Sequence, residues 1–175
     1  KISLVMPTIN VTTELDLFLK SLKAQTYKDF ELIVVDQNEG NEVFEIVKDY
    51  EEDFKIKYVK SDEKGLSLNR NRGLILMKGE IVGFPDDDCE YSPDTLEKVV
   101  EFFERKKNYR IYSCRTLERG KDYGTGVMEK KDTEITKDSV DTTVKSITFF
   151  VNYGKDDIIL FDENLGVGAT FGSGE

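Results

Sequence analysis

Short apolar segments rich in Val, Ile, Leu and Phe recur along the first two thirds of the chain, and helical patterns separate them. Such runs are typical of buried strands, whereas apolar residues spaced three and four apart indicate helices packed by one face. Strands that alternate with helices favour a mainly parallel sheet with helices on both faces, so we assign the chain to the α/β class. The predicted strands are 2–6, 30–35, 56–59, 81–84 and 111–114.

The segments between these strands carry helix signals. The first helix, 15–24, is expected to be capped by Thr12 or Thr13. Before the last helix, Ser92 suits the N-cap, Pro93 the first helical position and Asp94 the first turn. The other predicted helices are 43–50, 66–77 and Thr95–Arg105, and the second of these is expected to have an apolar side made by Leu68, Leu74, Ile75 and Met77.

The last third of the chain is less regular. Residues 117–141 are charged and contain glycine with little periodicity, which predicts a mobile loop region. Residues 144–151 form an extended apolar segment, and residues 161–175 carry four glycines. Because no linker or repeat divides the sequence, we expect one domain over 1–175, and a natural protein that continues beyond it.

Composition limits the chemistry. The net charge of −10, from 25 basic and 35 acidic residues, argues against a nucleic acid as the main partner, since phosphate contacts need clustered Lys and Arg. A small anion can still be bound through a metal ion, a helix N-terminus or a local cation. Histidine is absent, which leaves carboxylates as the candidate acids, bases and metal ligands. Cys89 and Cys114 form no CxxC pattern and fit a reducing, cytoplasmic setting.

The acidic triplet Asp86-Asp87-Asp88 is the strongest candidate site. It follows a predicted buried strand, and ligands of open α/β sheets bind at the carboxyl ends of the strands. Two unit charges roughly 4 Å apart repel by about 4 kcal/mol at an effective dielectric of about 20, and a divalent cation relieves that repulsion. In an extended segment Asp86 and Asp88 reach the same side. The alternative is a solvated turn that caps the next helix.

Two further candidates end neighbouring strands at the same edge. Asp36 follows the second strand, where its carboxylate could accept hydrogen bonds from a nucleobase or ribose. Its alternative role is to cap the loop 37–41. Pro7 and Thr8 end the first strand and could offer backbone groups and a hydroxyl, although the same pair is common in ordinary turns.

A third candidate is the start of the helix 66–77. Gly65 precedes it and Arg70 lies in its first turns, an arrangement that suits a diphosphate. The alternative is an ordinary basic helical face. The glycines match neither the dinucleotide-binding nor the P-loop pattern, so neither of those nucleotide-binding folds is supported.

Taken together, these residues resemble the family 2 glycosyltransferases, which adopt the type A glycosyltransferase fold (GT-A). The resemblance covers nearly the whole chain, and its final stretch is similar to the acceptor-side segment of bacterial enzymes that build surface polysaccharides. It implies a donor-binding part at 1–116 and an acceptor-side part at 117–175. The matching stretches are ISLVMPTIN, SLKAQTYKDFELIVVDQ, GLSLNRNRG, GEIVGFPDDDCEYSPDTLE and FDENLGVGATFGSGE.

The resemblance also implies an inverting, hexosyltransferase-type reaction. The donor would be a nucleoside-diphosphate sugar (UDP-, GDP- or dTDP-sugar), the cofactor Mn or Mg, and the acceptor a glycan or lipid-linked hydroxyl. Peripheral membrane association, at the inner face of the membrane, would come through regions outside this sequence. The implied donor contacts and catalytic groups are Pro7, Thr8, Asp36, Gly65, Arg70, Asp86 and Asp87, with Asp88 as main metal ligand and Asp86 as the second.

Two departures from the family pattern matter. Many relatives carry a second acid after the position of Asp36, where this chain has Gln37. The family's general base follows the GSGE stretch, so we expect it beyond the end of the sequence, with Glu175 as a candidate inside it.

Rival interpretations are a sugar nucleotidyltransferase, a receiver-type signalling domain and a binding module without catalysis. The first would need an Arg- and Lys-bearing Gly-rich loop after the first strand, and the second an acidic pair there; neither is present.

Overall fold

The computed structural model describes residues 1–10, 13–118, 121, 132–140, 144–145, 147–154, 158–170 and 172. One six-stranded sheet organises them, in the order β3-β2-β1-β4-β6-β5. Strands β1 to β4 are parallel, and β6 runs antiparallel between β4 and β5. The strands are β1 (Ile2–Thr8), β2 (Phe30–Asp36), β3 (Lys55–Lys60), β4 (Ile81–Gly83), β5 (Ile111–Ser113) and β6 (Phe149–Asn152).

In the described part of the chain the strands are connected by four helices: α1 (Glu14–Lys23), α2 (Glu42–Val47, continued by a short 3₁₀ turn), α3 (Leu66–Leu76) and α4 (Thr95–Arg105). Within the described segments none of the helices is long and apolar enough to cross a bilayer. The expected α/β class, with a mainly parallel sheet of GT-A type, is confirmed. The division into parts at 1–116 and 117–175 stays a prediction, although β6 joins the same sheet as the first four strands.

Alternation along the strands gives the sheet two apolar faces. On one face Leu4 and Leu32 pack with residues of α1, α2 and α4, including Phe18 and Val99. On the other face a smaller cluster includes Val5, Ile33, Val82, Phe84, Tyr153 and Leu74 of α3. Helices therefore cover both faces, and the central position of β1 brings the carboxyl ends of β1, β2 and β4 together.

Two predicted boundaries are wrong. The predicted first strand, 2–6, is two residues too short, because β1 continues through Pro7 to Thr8. A proline is tolerated here because β1 pairs with β4 only as far as Leu4. At position 7 no backbone N–H is needed to bond to β4, so the missing N–H of Pro7 breaks no bond of the sheet. The helix α4 has Asp94, not Ser92, at its N-cap, since the amide of Thr95 donates to the carbonyl of Ser92 in a turn that precedes the helix.

The expected caps and apolar side of the other helices also need correction. Thr13 occupies the N-cap of α1 without a side-chain cap bond, and Thr12 lies outside the described residues. On α3 the predicted apolar side is wrong at Ile75, which is 72% exposed, whereas Leu74 is buried and Met77 packs against the core as expected. The buried residues of α3 are Ser67, Asn69, Arg70, Asn71, Gly73 and Leu74.

The reason for this polar burial is close packing at Gly73. A Cβ at that position would collide with the side chain of Val5 on β1, so the helix lies directly on the sheet. The polar residues of α3 then face neighbouring loops that supply hydrogen-bond partners. About half of the predicted loop region 117–141, namely 119–120, 122–131 and 141, lies outside the described residues.

Candidate functional site

The acidic triplet lies in a turn directly after β4, at the carboxyl edge of the sheet. The Oγ1 atom of Thr8, at the end of β1, donates a hydrogen bond to Oδ2 of Asp87. Asp86 and Asp87 are half-buried, whereas Asp88 is exposed. The structure therefore joins two predicted site residues from strands that are neighbours in the sheet but 79 positions apart in sequence.

Burial raises the pKa of Asp87 above its ordinary value, and the charge of Asp88 raises it further. The hydrogen bond from Thr8 acts in the opposite direction, because it favours the ionised carboxylate. The triplet thus contains carboxylates in different environments: one tied to the sheet by a hydroxyl, and one open to solvent. The exposed carboxylate of Asp88 is the more accessible to a cation.

Arg70 supplies a buried cation beside the triplet. Its side chain is 5% exposed, and Nη2 lies 3.7 Å from Oδ1 of Asp86. The guanidinium carbon lies 5.8 Å from the ring centroid of Phe84 and 5.5 Å from that of Phe161. Two aromatic rings therefore hold the guanidinium at the edge of the sheet where the acids are. The sequence predicts Arg70 at this site but gives no sign of Phe161.

Asp36 is fully buried and ties several elements together. Its Oδ2 accepts hydrogen bonds from the hydroxyl of Tyr58 at 2.5 Å and from Nζ of Lys60 at 2.9 Å. Its Oδ1 accepts from the backbone and side-chain nitrogens of Asn38 at 2.9 and 2.7 Å. Burial raises the pKa of Asp36, but these bonds outweigh it and hold that pKa below its ordinary value. The structure thus shows the loop-capping role, and the nucleobase contact stays a prediction.

The turn before α3 is fixed by Gln37. The amide of Gly65, whose φ is 140°, donates to Oε1 of Gln37 at 2.9 Å. The next amide, of Leu66, donates to the carbonyl of Val167 at 3.0 Å. The amide of Gly65 and the first amide of α3 are thus bound by the protein itself, and a phosphate contact at Gly65 stays a prediction. Gln37 replaces the family's second acid with a side chain that positions this glycine.

A divalent cation at this edge would be held by few protein ligands. No three Asp, Glu, Cys or His side chains converge as a ready metal cage within the described parts of the chain. Magnesium-type sites commonly use one or two carboxylates together with phosphates of the substrate, and the oxygen ligands of Asp86 and Asp88 fit that chemistry. The remaining predicted catalytic group, Glu175, lies outside the described residues.

Sequence reasoning misses four residues that shape the site. Tyr58 and Lys60 contact Asp36 from β3, and Asn71 and Phe161 connect α3 to the C-terminal segment. A period-2 pattern places Tyr58 and Lys60 on one face of β3 and could have indicated them. No local pattern indicates the contact of Asn71 with Phe161, since 90 positions separate the two.

A family model described as glycosyl transferase family 2 matches residues 3–159. The chain belongs to this family, as the sequence resemblance predicts.

Two curated relatives are glycosyltransferases of bacteria. The chain is 31% identical over 143 residues to a GalNAc(5)-diNAcBac-PP-undecaprenol β-1,3-glucosyltransferase of Campylobacter jejuni, a match that covers 78% of this chain and 46% of that protein. It is 30% identical to the poly(ribitol-phosphate) β-N-acetylglucosaminyltransferase TarP of Staphylococcus aureus, covering 74% and 41% respectively. The chain thus spans less than half of each of these relatives.

Solved structures agree on the fold. The crystal structure of S. aureus TarS residues 1–349 with UDP-GlcNAc superposes with a TM-score of 0.81 over 97% of this chain and 51% of that one, at 23% identity. A mannosyltransferase of Pyrobaculum calidifontis, crystallised with GDP-Man and Mn²⁺, has a TM-score of 0.61 at 25% identity, covering 68% and 36%. Both likenesses support the architecture assigned to the described residues.

Proposed function

We propose that this chain carries the donor site of a metal-dependent, inverting hexosyltransferase that uses a nucleoside-diphosphate sugar. The observation that carries the proposal is the meeting of Thr8, Arg70 and the triplet at one edge of the sheet. This edge therefore holds a hydroxyl, a buried cation and a group of carboxylates within one small area. A diphosphate bridged by a cation needs such a combination of positive and negative groups.

Each residue has a distinct role in the proposal. Asp88, exposed, and Asp86, half-buried, are the metal ligands, and Asp87 orients the donor's ribose or sugar from its bond to Thr8. Arg70 faces the phosphates, where its charge favours the developing negative charge of the leaving diphosphate. A bound Mn²⁺ or Mg²⁺ would supply further stabilisation of that charge.

The acceptor side of the proposal rests on family membership and on relatives. The acceptor is a hydroxyl of a glycan or of a lipid-linked glycan; the Campylobacter relative is named for an undecaprenol-linked one. A carboxylate base would remove the proton of that hydroxyl during a single displacement with inversion. We place the base C-terminal to the described residues, and the enzyme in the cytoplasm at the inner face of the membrane.

Titration calorimetry of UDP, GDP and dTDP, each with and without MnCl₂, tests the donor site. We expect one of the three to bind in the presence of Mn²⁺, and EDTA to abolish that binding. Asp88→Ala is expected to weaken binding at least about tenfold, because it removes the main metal ligand. A matched control is Asp94→Ala, which removes an equal charge from an exposed acid paired with Lys98 at the start of α4.

The outcomes separate cleanly. Loss of binding in Asp88→Ala but not in Asp94→Ala supports the metal assignment. Equal binding by Asp88→Ala and the parent protein, or binding that EDTA leaves unchanged, refutes metal dependence. A parent that binds none of the three diphosphates refutes the donor site itself.

A further inference from the structure

The described C-terminal segment lies across the N-terminal half of α3, and Asn71 attaches it there. Nδ2 of Asn71 donates to the carbonyl oxygen of Phe161 at 2.9 Å, and Oδ1 accepts from the amide of Phe161 at 2.8 Å. The same Nδ2 also donates to Oε1 of Glu163 at 2.9 Å. An amide that donates to and accepts from one backbone fixes that backbone in two directions, so buried Asn71 determines where Phe161 lies.

A second attachment lies one turn away, at the start of α3. The amide of Leu66 donates to the carbonyl of Val167 at 3.0 Å, and Oγ of Ser67 donates to the carbonyl of Leu165 at 2.6 Å. Residues 161–167, which we call the strap, therefore follow α3 from Asn71 back to Leu66.

The strap forms one wall of the pocket that holds Arg70. The ring of Phe161 meets that of Phe84 edge to face, with centroids 5.1 Å apart and planes at 90°. The guanidinium carbon of Arg70 lies 5.5 Å from the Phe161 centroid and 5.8 Å from the Phe84 centroid. Phe84 belongs to the segment that leads into the triplet, whereas Phe161 reaches the pocket only because the strap is attached to α3.

We propose that Asn71 and Phe161 are positioning residues of the donor site. Asn71 clamps the backbone of Phe161, and the Phe161 ring then holds the Arg70 guanidinium in its position beside Asp86. The inference rests on the proposed function, since it takes the donor's diphosphate as the group that Arg70 binds.

The physical reason is the flexibility of arginine. Its long side chain has many rotamers, and stacking between two rings selects those that direct the guanidinium toward the acids. Release of the strap removes one ring and opens that side of the pocket to water, which weakens the cation's interactions. The attachment of the strap to α3 therefore determines how well the Arg70 guanidinium is oriented to bind the donor's diphosphate.

The test compares Asn71→Ala with Gln25→Ala. Gln25 is an equally buried amide with three bonds of the same kind: Nε2 donates to the carbonyls of Ser21 and Ser92, and Oε1 accepts from the amide of Leu96. These bonds lie outside the strap and the pocket of Arg70. Both variants lose an amide clamp, so a loss of folding stability alone affects them similarly.

Calorimetry is run with Mn²⁺ and whichever of UDP, GDP or dTDP binds the parent protein. We expect Asn71→Ala to bind about tenfold more weakly and Phe161→Leu about threefold more weakly, while Gln25→Ala binds like the parent at a temperature where all are folded. Hydrogen exchange supplies an independent measurement: the amides of Phe161 and Leu66 should exchange faster in Asn71→Ala and remain protected in Gln25→Ala.

Charge at the clamp gives a rescue experiment. Asn71→Asp keeps the acceptor for the Phe161 amide but places a second carboxylate beside Glu163, so it should weaken binding. Adding Glu163→Gln to Asn71→Asp removes one of the two charges and supplies a side-chain N–H that can donate to the new carboxylate at position 71. Part of the affinity should then return.

Several results would overturn the proposal. If Asn71→Ala binds the diphosphate as tightly as Gln25→Ala does, the clamp does not serve the donor site. Unchanged exchange at Phe161 in Asn71→Ala shows that no clamp exists. If the parent binds no diphosphate, the proposed function fails, and the donor role of both residues fails with it.

Discussion

Thr8→Val removes the hydroxyl that joins the end of β1 to the acidic triplet. Thr8 is 1% exposed and its backbone pairs with Asp36 of β2, so its buried, β-branched side chain has little room to turn away from Asp87. Valine keeps the branched shape but places a methyl group against a half-buried carboxylate. Asp87 then loses a hydrogen bond and gains no water in exchange.

The expected magnitude follows from that geometry. A hydrogen bond to a charged group contributes about 1.5–3 kcal/mol, and the partial exposure of Asp87 favours a value of about 2 kcal/mol. For a chain of 175 residues this lowers the melting temperature by about 6 °C. The control Thr8→Ser keeps the hydroxyl and loses one methyl group, which costs about 1 kcal/mol.

Urea denaturation at pH 7 measures the free energy of unfolding of both variants, and the calorimetric titration with Mn²⁺ measures their affinity for the diphosphate. We expect Thr8→Val to bind the diphosphate about tenfold more weakly, because Asp87 is no longer oriented, and Thr8→Ser to retain most of the affinity. A serine variant that loses as much stability and affinity as the valine variant would contradict this reasoning. So would a valine variant within about 0.5 kcal/mol of the parent.

Two further substitutions test the buried carboxylates. Asp36→Asn should lower the free energy of unfolding by about 2 kcal/mol, since it leaves Lys60 beside a neutral amide. Urea denaturation measures this change, and a loss under about 0.5 kcal/mol would contradict the expectation. Glu31 has a pKa that burial raises but that bonds from Ser3 and the Lys78 amide bring below its ordinary 4.5. Its stabilisation is therefore present above pH 4.5 and lost as the pH falls through the folded pKa, so Glu31→Gln should flatten the decline in stability measured below pH 4.5.

Much of the fold can be predicted from local sequence patterns. The sequence predicts α4 at Thr95–Arg105, which are its bounds in the structure, and places the first four strands within two residues of their observed ends. It also places Thr8, Asp36 and the triplet at one edge, because parallel strands necessarily end on the same side. These predictions succeed because apolar spacing and helix or strand signals are properties of short stretches of chain.

The roles of individual side chains are less accessible to such reasoning. The sequence leaves Asp36 with two roles, a nucleobase contact or a cap of the loop 37–41, and the structure surrounds it with Tyr58, Lys60 and Asn38. The start of α3 reads as an open anion site, yet Val167 covers its first amide. In both cases the deciding partner belongs to another element, and a sequence pattern carries no information about how that element packs.

By itself, the sequence determined the α/β class, the mainly parallel character of the sheet and the position of the acidic edge, since burial of apolar strands between helices leaves few other arrangements. Tertiary structure alone decided that β6 enters the sheet antiparallel between β4 and β5, and that α3 buries a polar face. It also decided that Ser67 meets Leu165 and Asn71 meets Glu163, pairs 98 and 92 positions apart. Contacts at such separations form only when the whole chain has packed, because the residues that satisfy each buried polar group come from different elements.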